Sequence, residues 1–235
     1  MILLVKNSKG GVGKSTITRN LAAGLSKAEY KVAIVSLDYQ NGSLTLLGKE
    51  LEKGQHGFKA LVMEKDTNVE IKVNNIDYYA LENGNFSTRM SKKVKKTFEI
   101  LKVKYDFIFL DGAPLENTLN DLGVDVCDKI LIPINLNKLS IDGVVRMLED
   151  SKVVEKLAFI VPNLYNNRKS EKTAFLDLEN YLVDTDIYLS TPILNSAIET
   201  EQTSKGKSIF DTKSKNAASI QDSYINIIEK IIEGM

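Results

Sequence analysis

Eight consecutive residues, Lys9-Gly10-Gly11-Val12-Gly13-Lys14-Ser15-Thr16, carry the groups needed to hold a chain of phosphates. Glycines let successive backbone N–H groups turn toward one anion, and the N-terminus of a following helix adds roughly half a positive charge. Lys14 can then reach the outer phosphates, and the Ser15 hydroxyl can ligate Mg²⁺. An ordinary phosphate loop, GxxxxGK[ST], would need its first glycine at position 8, where this chain has Ser8. The loop reads KGGxGK[ST] instead, which puts a second lysine, Lys9, on the same turn.

Such a loop works only between a strand and a helix, and the surrounding pattern supplies both. Short apolar, β-branched runs at Ile2 to Val5, Val32 to Val35, Tyr78 to Leu81, Phe107 to Leu110, Ile130 to Ile134 and Leu157 to Val161 read as buried strands. Amphipathic stretches lie between them. Ser15 to Ser26 carries Leu21 and Leu25 on one face, and Ser87 to Val103 spaces Met90, Val94, Phe98 and Leu101 at helical intervals. This alternation predicts an α/β fold, a mostly parallel twisted sheet with helices on both faces. Residues 1–235 show no fixed-period repeat, low-complexity tract or flexible linker, so one domain is expected. All four prolines, Pro114, Pro133, Pro162 and Pro192, fall inside or just after predicted strands. They are ordinary punctuation, or they mark one sheet edge where a ligand sits outside the carboxyl ends of the strands.

The loop and the following LAAGLSKAEYKVAIVSLD resemble the deviant Walker A family of ParA and MinD ATPases, a branch of the P-loop NTPase fold. The resemblance implies ATP and Mg²⁺ as ligands, with Gly10, Gly11, Val12, Gly13, Lys14, Ser15 and Thr16 around the phosphates. It also implies that Lys9 reaches across a homodimer to the nucleotide of the other subunit, so that ATP joins two chains and hydrolysis releases them. A cation supplied in trans would offset charge in a loose phosphoryl transfer, as an arginine finger does. The segment Ser36-Leu37-Asp38-Tyr39-Gln40-Asn41-Gly42 is similar to the family's Asp-x-Asp-Pro-Gln-Gly. Asp38 matches the aspartate that positions or activates the attacking water, whereas Ser36 replaces the first aspartate and Tyr39 the proline. Hydrolysis is then weaker, or another carboxylate compensates. Phe107 to Asp111 resembles the Walker B strand, which assigns Asp111 to the Mg²⁺ shell through water. The run Ala158 to Asn163 ends in an amide that can read an adenine edge, although an asparagine there is also an ordinary turn residue. The likeness covers nearly the whole chain and is weakest from residue 50 to 104.

Composition narrows the branch. The 235 residues hold 31 basic and 31 acidic side chains and are 43% apolar. Folding buries roughly 70–75% of the unfolded surface at this size, so a substantial core is available. Zero net charge excludes adhesion to nucleic acid by bulk charge alone and leaves local patches open. A single cysteine, Cys127, removes any disulfide framework and the paired cysteines of iron-protein relatives, and one histidine, His56, removes most zinc chemistry. Cys127 reads as a small buried hydrophobe and His56 as a loop residue. No run approaches a membrane span, and the C-terminal stretch 224–233 lacks the basic polar face of a membrane-surface helix, so a helix packed on the sheet is expected and membrane binding is not. A cytoplasmic, nucleoid-associated protein is the natural expectation.

Two basic patches are candidates for DNA. Arg89, Lys92, Lys93, Lys95, Lys96, Lys102 and Lys104 lie on one helix, on the face opposite Met90, Val94, Phe98 and Leu101, where a solvated face is the favoured account. Lys205, Lys207, Lys213 and Lys215 lie in a Ser/Thr/Gly-rich segment and are favoured by the resemblance. Contacts of either kind would be to phosphates, with affinities of roughly 10⁻⁴ to 10⁻⁶ M before avidity. The chain is thus expected to be a slow, partner-stimulated ATPase that dimerises on Mg-ATP and binds DNA non-specifically. It would partition a plasmid or chromosome with a centromere-binding, ParB-like protein, and the absence of residues before the first strand fits the small ParA type. The alternatives are a MinD-like switch that positions a membrane or polar protein complex, and a weakly hydrolysing ATP-dependent dimerisation module.

Overall fold

The computed structural model describes residues 1–82, 86, 88–114 and 118–234. Its strands are β1 (Ile2–Val5), β2 (Val32–Ser36), β3 (Ile71–Val73), β4 (Ile76–Tyr79), β5 (Phe107–Asp111), β6 (Lys129–Ile134), β7 (Leu157–Pro162) and β8 (Tyr188–Leu189). They form one sheet in the order β3-β4-β2-β5-β1-β6-β7-β8. Every neighbouring pair is parallel except β3 with β4. The helices are α1 (Lys14–Lys27), α2 (Gly42–Thr45), α3 (Phe58–Val62), α4 (Ser91–Lys104), α5 (Thr118–Val126), α6 (Lys138–Leu148), α7 (Ser151–Val154), α8 (Lys169–Leu182), α9 (Ala197–Ser204) and α10 (Ala218–Glu233).

The strands are apolar throughout because both faces of the sheet are covered. In β1, Ile2 and Leu4 enter a core shared with α3, α4, α5, α6 and α8, while Leu3 and Val5 enter a second core shared with α1 and α10. Period-two alternation in the strands thus feeds two helical layers. In α10, Ile220, Tyr224, Ile227 and Ile231 are buried at helical spacing, so the apolar face of the C-terminal helix is spent on the core. Among the described residues no helix is long and apolar enough to cross a membrane.

The six expected strands are present, with one shift. The run Tyr78 to Leu81 forms a strand at Ile76–Tyr79, because Leu81 leaves the ladder and bonds the side chain of Asn41 through both its N–H and its carbonyl. The expected helix from Ser87 begins as a 3₁₀ turn at Thr88–Met90 and continues as α4; Ser87 itself lies outside the described residues. Two strands were not anticipated. β3 is an edge strand joined to β4 by Asn74-Asn75, both with positive φ, the geometry of a tight primed hairpin turn. β8 has only two residues, too few to leave a pattern.

Candidate functional site

Parallel topology brings the singled-out residues to one edge. The loop follows β1, Asp38 follows β2, Asp111 ends β5 and Asn163 follows β7. Cross-strand register places Asp111 opposite both Val5 and Ser36. All four prolines lie at this carboxyl edge too, and the Pro133 carbonyl accepts a bond from Asn7 Nδ2 at 2.6 Å. Ligands in open α/β sheets bind outside this edge.

The loop is shaped by asparagines on either side. Asn7 Oδ1 accepts from the Lys9 N–H at 2.8 Å, so one buried side chain ties β6 to the start of the loop. Gly13 adopts φ 93°, and a Cβ there would stand 2.1 Å from Asn163 Nδ2. That nitrogen donates to the Val12 carbonyl at 2.9 Å. Asn163 is 2% exposed, and its Oδ1 is buried without a hydrogen-bond partner. The amide expected at an adenine edge is therefore packed under the loop, with an acceptor left over.

The two loop lysines are disposed differently. Lys14 is buried, and its Nζ donates to the Asn7 carbonyl at 3.0 Å and the Lys9 carbonyl at 3.2 Å. Burial lowers its pKa, while Asp111 and Asp38 oppose that shift. Lys9 is exposed. It lines a cavity of about 440 Å³ with Asn7, Asn120, Ser140 and Arg146, on the α6 side of the loop.

The carboxylates and hydroxyls form a compact group. Asp111 is 2% exposed and accepts the Ser43 N–H at 3.2 Å. Burial raises its pKa, and hydrogen bonds from Ser15 and Ser43 work against the rise. A Cβ on Gly42 would stand 2.5 Å from Ser15 Oγ, so α2 closes tightly over the hydroxyl side of the loop. Ser36 is buried, and its hydroxyl donates to the Asp38 carbonyl at 2.7 Å. The hydroxyl that stands in place of the family's first aspartate is thus engaged in shaping the turn that presents Asp38. Asp38 is half-buried, and its Oδ1 accepts the Gln40 N–H at 3.1 Å.

These residues fit Mg²⁺ with a nucleotide. Asp111 Oδ1 is buried with no hydrogen-bond partner, beside a hydroxyl at a helix N-terminus. One carboxylate and one hydroxyl suit a cation that keeps waters and takes its other oxygens from phosphates. Among the described residues no cluster of three or more His, Cys, Asp or Glu could hold a metal without such help. Thr16 is half-buried on the first turn of α1, and Gly10 and Gly11 are open to the outside.

Sequence reasoning missed Asn7, Asn41, Ser43 and Asn120. Asn41 was visible as a turn residue before Gly42, but its role is to latch the Asp38 segment onto Leu81, 40 residues away. Asn120 brackets Ala113, accepting from its N–H at 3.1 Å and donating to its carbonyl at 3.0 Å. The simpler readings of Cys127 and His56 agree with the structure. Cys127 is buried, with its thiol pushed up to about 11 by desolvation, and His56 is exposed beside Asp66.

A family model described as an AAA domain, AAA_31, matches residues 1–164. The sporulation initiation inhibitor protein Soj of Bacillus subtilis is 29% identical over 167 residues, 66% of this chain and 66% of Soj. The cell division protein PomZ of Myxococcus xanthus is 24% identical over 252 aligned residues, 97% of this chain and 78% of PomZ. Among solved structures, an ATP complex of Cyanothece McdA superposes with a TM-score of 0.84 at 17% identity, covering 98% of this chain and 95% of that one. A plasmid partition protein of Borrelia burgdorferi bound to AMPPNP superposes with a TM-score of 0.80 at 21% identity, covering 100% and 99%. At these identities the structures establish the fold. A phosphate loop between β1 and α1, a buried aspartate ending β5 and a family match over most of the chain agree: the chain belongs to this AAA-domain family of P-loop ATPases, together with the Soj, ParA and MinD proteins.

Proposed function

We propose that the chain is a Mg-ATP-dependent dimerising ATPase that binds DNA non-specifically in its ATP-bound dimer and partitions a DNA cargo with a ParB-like, centromere-binding partner. One observation carries the proposal: the loop turns Lys14 inward and Lys9 outward. Lys14 is placed to follow the phosphates of its own site. Lys9, at the mouth of a cavity on the α6 side, is free to meet a nucleotide on a second subunit. The sheet takes strands from residue 2 to residue 189, which supports treating 1–235 as one domain.

Each residue has a distinct task. Backbone N–H groups from Gly10 to Thr16 and the α1 N-terminus bind the phosphates. Ser15 and Asp111 would hold the metal. When bound, Mg²⁺ neutralises charge on the transferring phosphoryl oxygens. Asp38 orients the attacking water and accepts its proton, while Lys9 stabilises negative charge from the partner side. Asn163, through its free Oδ1, contacts adenine once the loop has adjusted. With Ser36 engaged by the Asp38 carbonyl, the site has one carboxylate fewer than the family pattern, and turnover is slow without the partner.

The segment Lys205 to Lys215 is the DNA surface. Lys207, Lys213 and Lys215 are exposed and make no ion pair among the described residues, while Lys205 pairs with Glu201. On α4, by contrast, Lys95, Lys96, Lys102 and Lys104 pair with Asp125, Glu64, Asp128 and Glu70. Those lysines are committed within the chain, which favours the solvated-face account of that helix. The burial of α10 likewise favours a nucleoid-associated, cytoplasmic protein over a membrane-bound switch. The test is DNA binding at two salt concentrations, with and without Mg-ATP. ATP-dependent, salt-sensitive binding is expected. ATP-dependent binding to anionic vesicles, with none to DNA, would give the MinD-like reading instead.

A further inference from the structure

Arg19 lies in α1, just beyond Ser15 and Thr16, and is only 2% exposed. A guanidinium keeps its charge when buried, so its donors need acceptors. Nη1 donates to the Leu46 carbonyl at 3.0 Å. Nη2 donates to Thr203 Oγ1 at 3.1 Å and to the Lys207 carbonyl at 2.6 Å. Nε is buried with no partner, so the group is already one acceptor short. Glu199 does not pair with it; that carboxylate accepts from Asn20 Nδ2 at 2.8 Å and from the Tyr224 hydroxyl at 2.7 Å.

The acceptors belong to two segments with different roles. Leu46 caps α2, whose first turn sets Gly42 against Ser15 and the Ser43 N–H on Asp111. Lys207 belongs to the basic segment, and the Ile209 N–H nearby donates to Asn20 Oδ1 at 3.0 Å. One buried cation therefore holds the metal side of the phosphate site and the basic segment to the same helix. If either moved alone, charge would be stranded in the core.

We propose that Arg19 is a positioning residue that couples the phosphate site to the basic segment. A shift of α2, set by what Ser15 and Asp111 hold, moves residues 203–209 and so changes how Lys205, Lys207, Lys213 and Lys215 meet a chain of closely spaced phosphates. This consequence rests on the DNA reading above; the coupling itself does not. Coupling of this kind is reciprocal, so the polyanion also alters nucleotide affinity.

The test is hydrogen exchange on the full chain with and without Mg²⁺ and a non-hydrolysable ATP analogue. In the parent, exchange should change both at residues 10–16 and at 203–209. In Arg19→Met, the change at 10–16 should persist and that at 203–209 should vanish. Thr203→Val, which removes one acceptor and keeps the cation, should shrink the response at 203–209 and decides the matter if Arg19→Met does not fold. No response at 203–209 in the parent, or an undiminished one in the variants, overturns the coupling. A duplex titration then reads the consequence: the analogue should tighten DNA binding in the parent, and that gain should be lost in Arg19→Met even at saturating analogue. A parent that responds at 203–209 yet never binds DNA retains the coupling and refutes the DNA reading.

Discussion

Replacing Gly13 by alanine probes the packing that shapes the loop. An L-residue held near φ 93° pays about 1–2 kcal/mol for the left-handed backbone. The new Cβ would also stand 2.1 Å from Asn163 Nδ2, so the amide must leave. Its bond to the Val12 carbonyl, 2.9 Å long and buried, is then broken, at about 1–3 kcal/mol. Gly13→Ala should therefore destabilise the ligand-free chain by about 2–5 kcal/mol. Asn163→Ala alone removes the same bond, at about 1–3 kcal/mol. In the double variant no amide remains to be displaced, so only the backbone cost adds to that of Asn163→Ala. The cycle should close with a favourable interaction energy of about 1–3 kcal/mol. Urea denaturation of all four proteins at unchanged m-value measures it. Additivity within about 0.5 kcal/mol would refute the packing of Asn163 on Gly13 as the origin of the loop's shape.

Other perturbations separate the roles of the site residues. Burial holds the Asp111 carboxyl above its ordinary value, so the folded state binds that proton more tightly than the unfolded state. Parental stability should fall as pH rises from the ordinary carboxylate range through the raised value. Asp111→Asn should remove that loss, resisting urea better than the parent at pH 7 and converging with it in acid, while Mg²⁺-dependent nucleotide affinity drops; equal stability at pH 7 would contradict the burial account. Ser36→Asp, which restores the family carboxylate beside Asp111, should raise Mg-ATP turnover and cost on the order of 3–5 kcal/mol of ligand-free stability, read by denaturation. Neutralising Lys207, Lys213 and Lys215 together should weaken DNA binding and reduce the slope of log K against log salt by about 0.9 for each phosphate that is no longer neutralised. Neutralising Lys95 and Lys102 should leave that slope unchanged, because both already face carboxylates of the chain.

Local patterns carried much of this architecture. The loop was legible because glycines, lysine and hydroxyls must be contiguous to wrap a phosphate, and the central strands because burial on both faces requires unbroken apolar runs. Asp38 and Asp111 were legible because each follows such a run. Contacts between distant segments were hidden. Nothing near Asn163 indicates that its amide will lie under Val12, 151 residues earlier, nor anything near Asn41 that it will catch the backbone of Leu81. The β3–β4 hairpin carried a readable signal in Asn74-Asn75, which the short flanking runs obscured. Likewise the α4 lysines resemble a DNA-binding stripe until Asp125, Glu64, Asp128 and Glu70 arrive from other elements.

The central claim is that Lys9 serves the nucleotide of a second subunit while Asp38 serves its own. Mixing Lys9→Ala with Asp38→Ala tests it most directly. Each variant alone should hydrolyse Mg-ATP near background. An equimolar mixture forms heterodimers in which one site has Asp38 in cis and Lys9 in trans. With random pairing, about half the dimers carry one complete site of two, so the mixture should recover about one quarter of parental turnover. Activity equal to the sum of the separate variants, or a Lys9→Ala protein as active as the parent, would contradict the account.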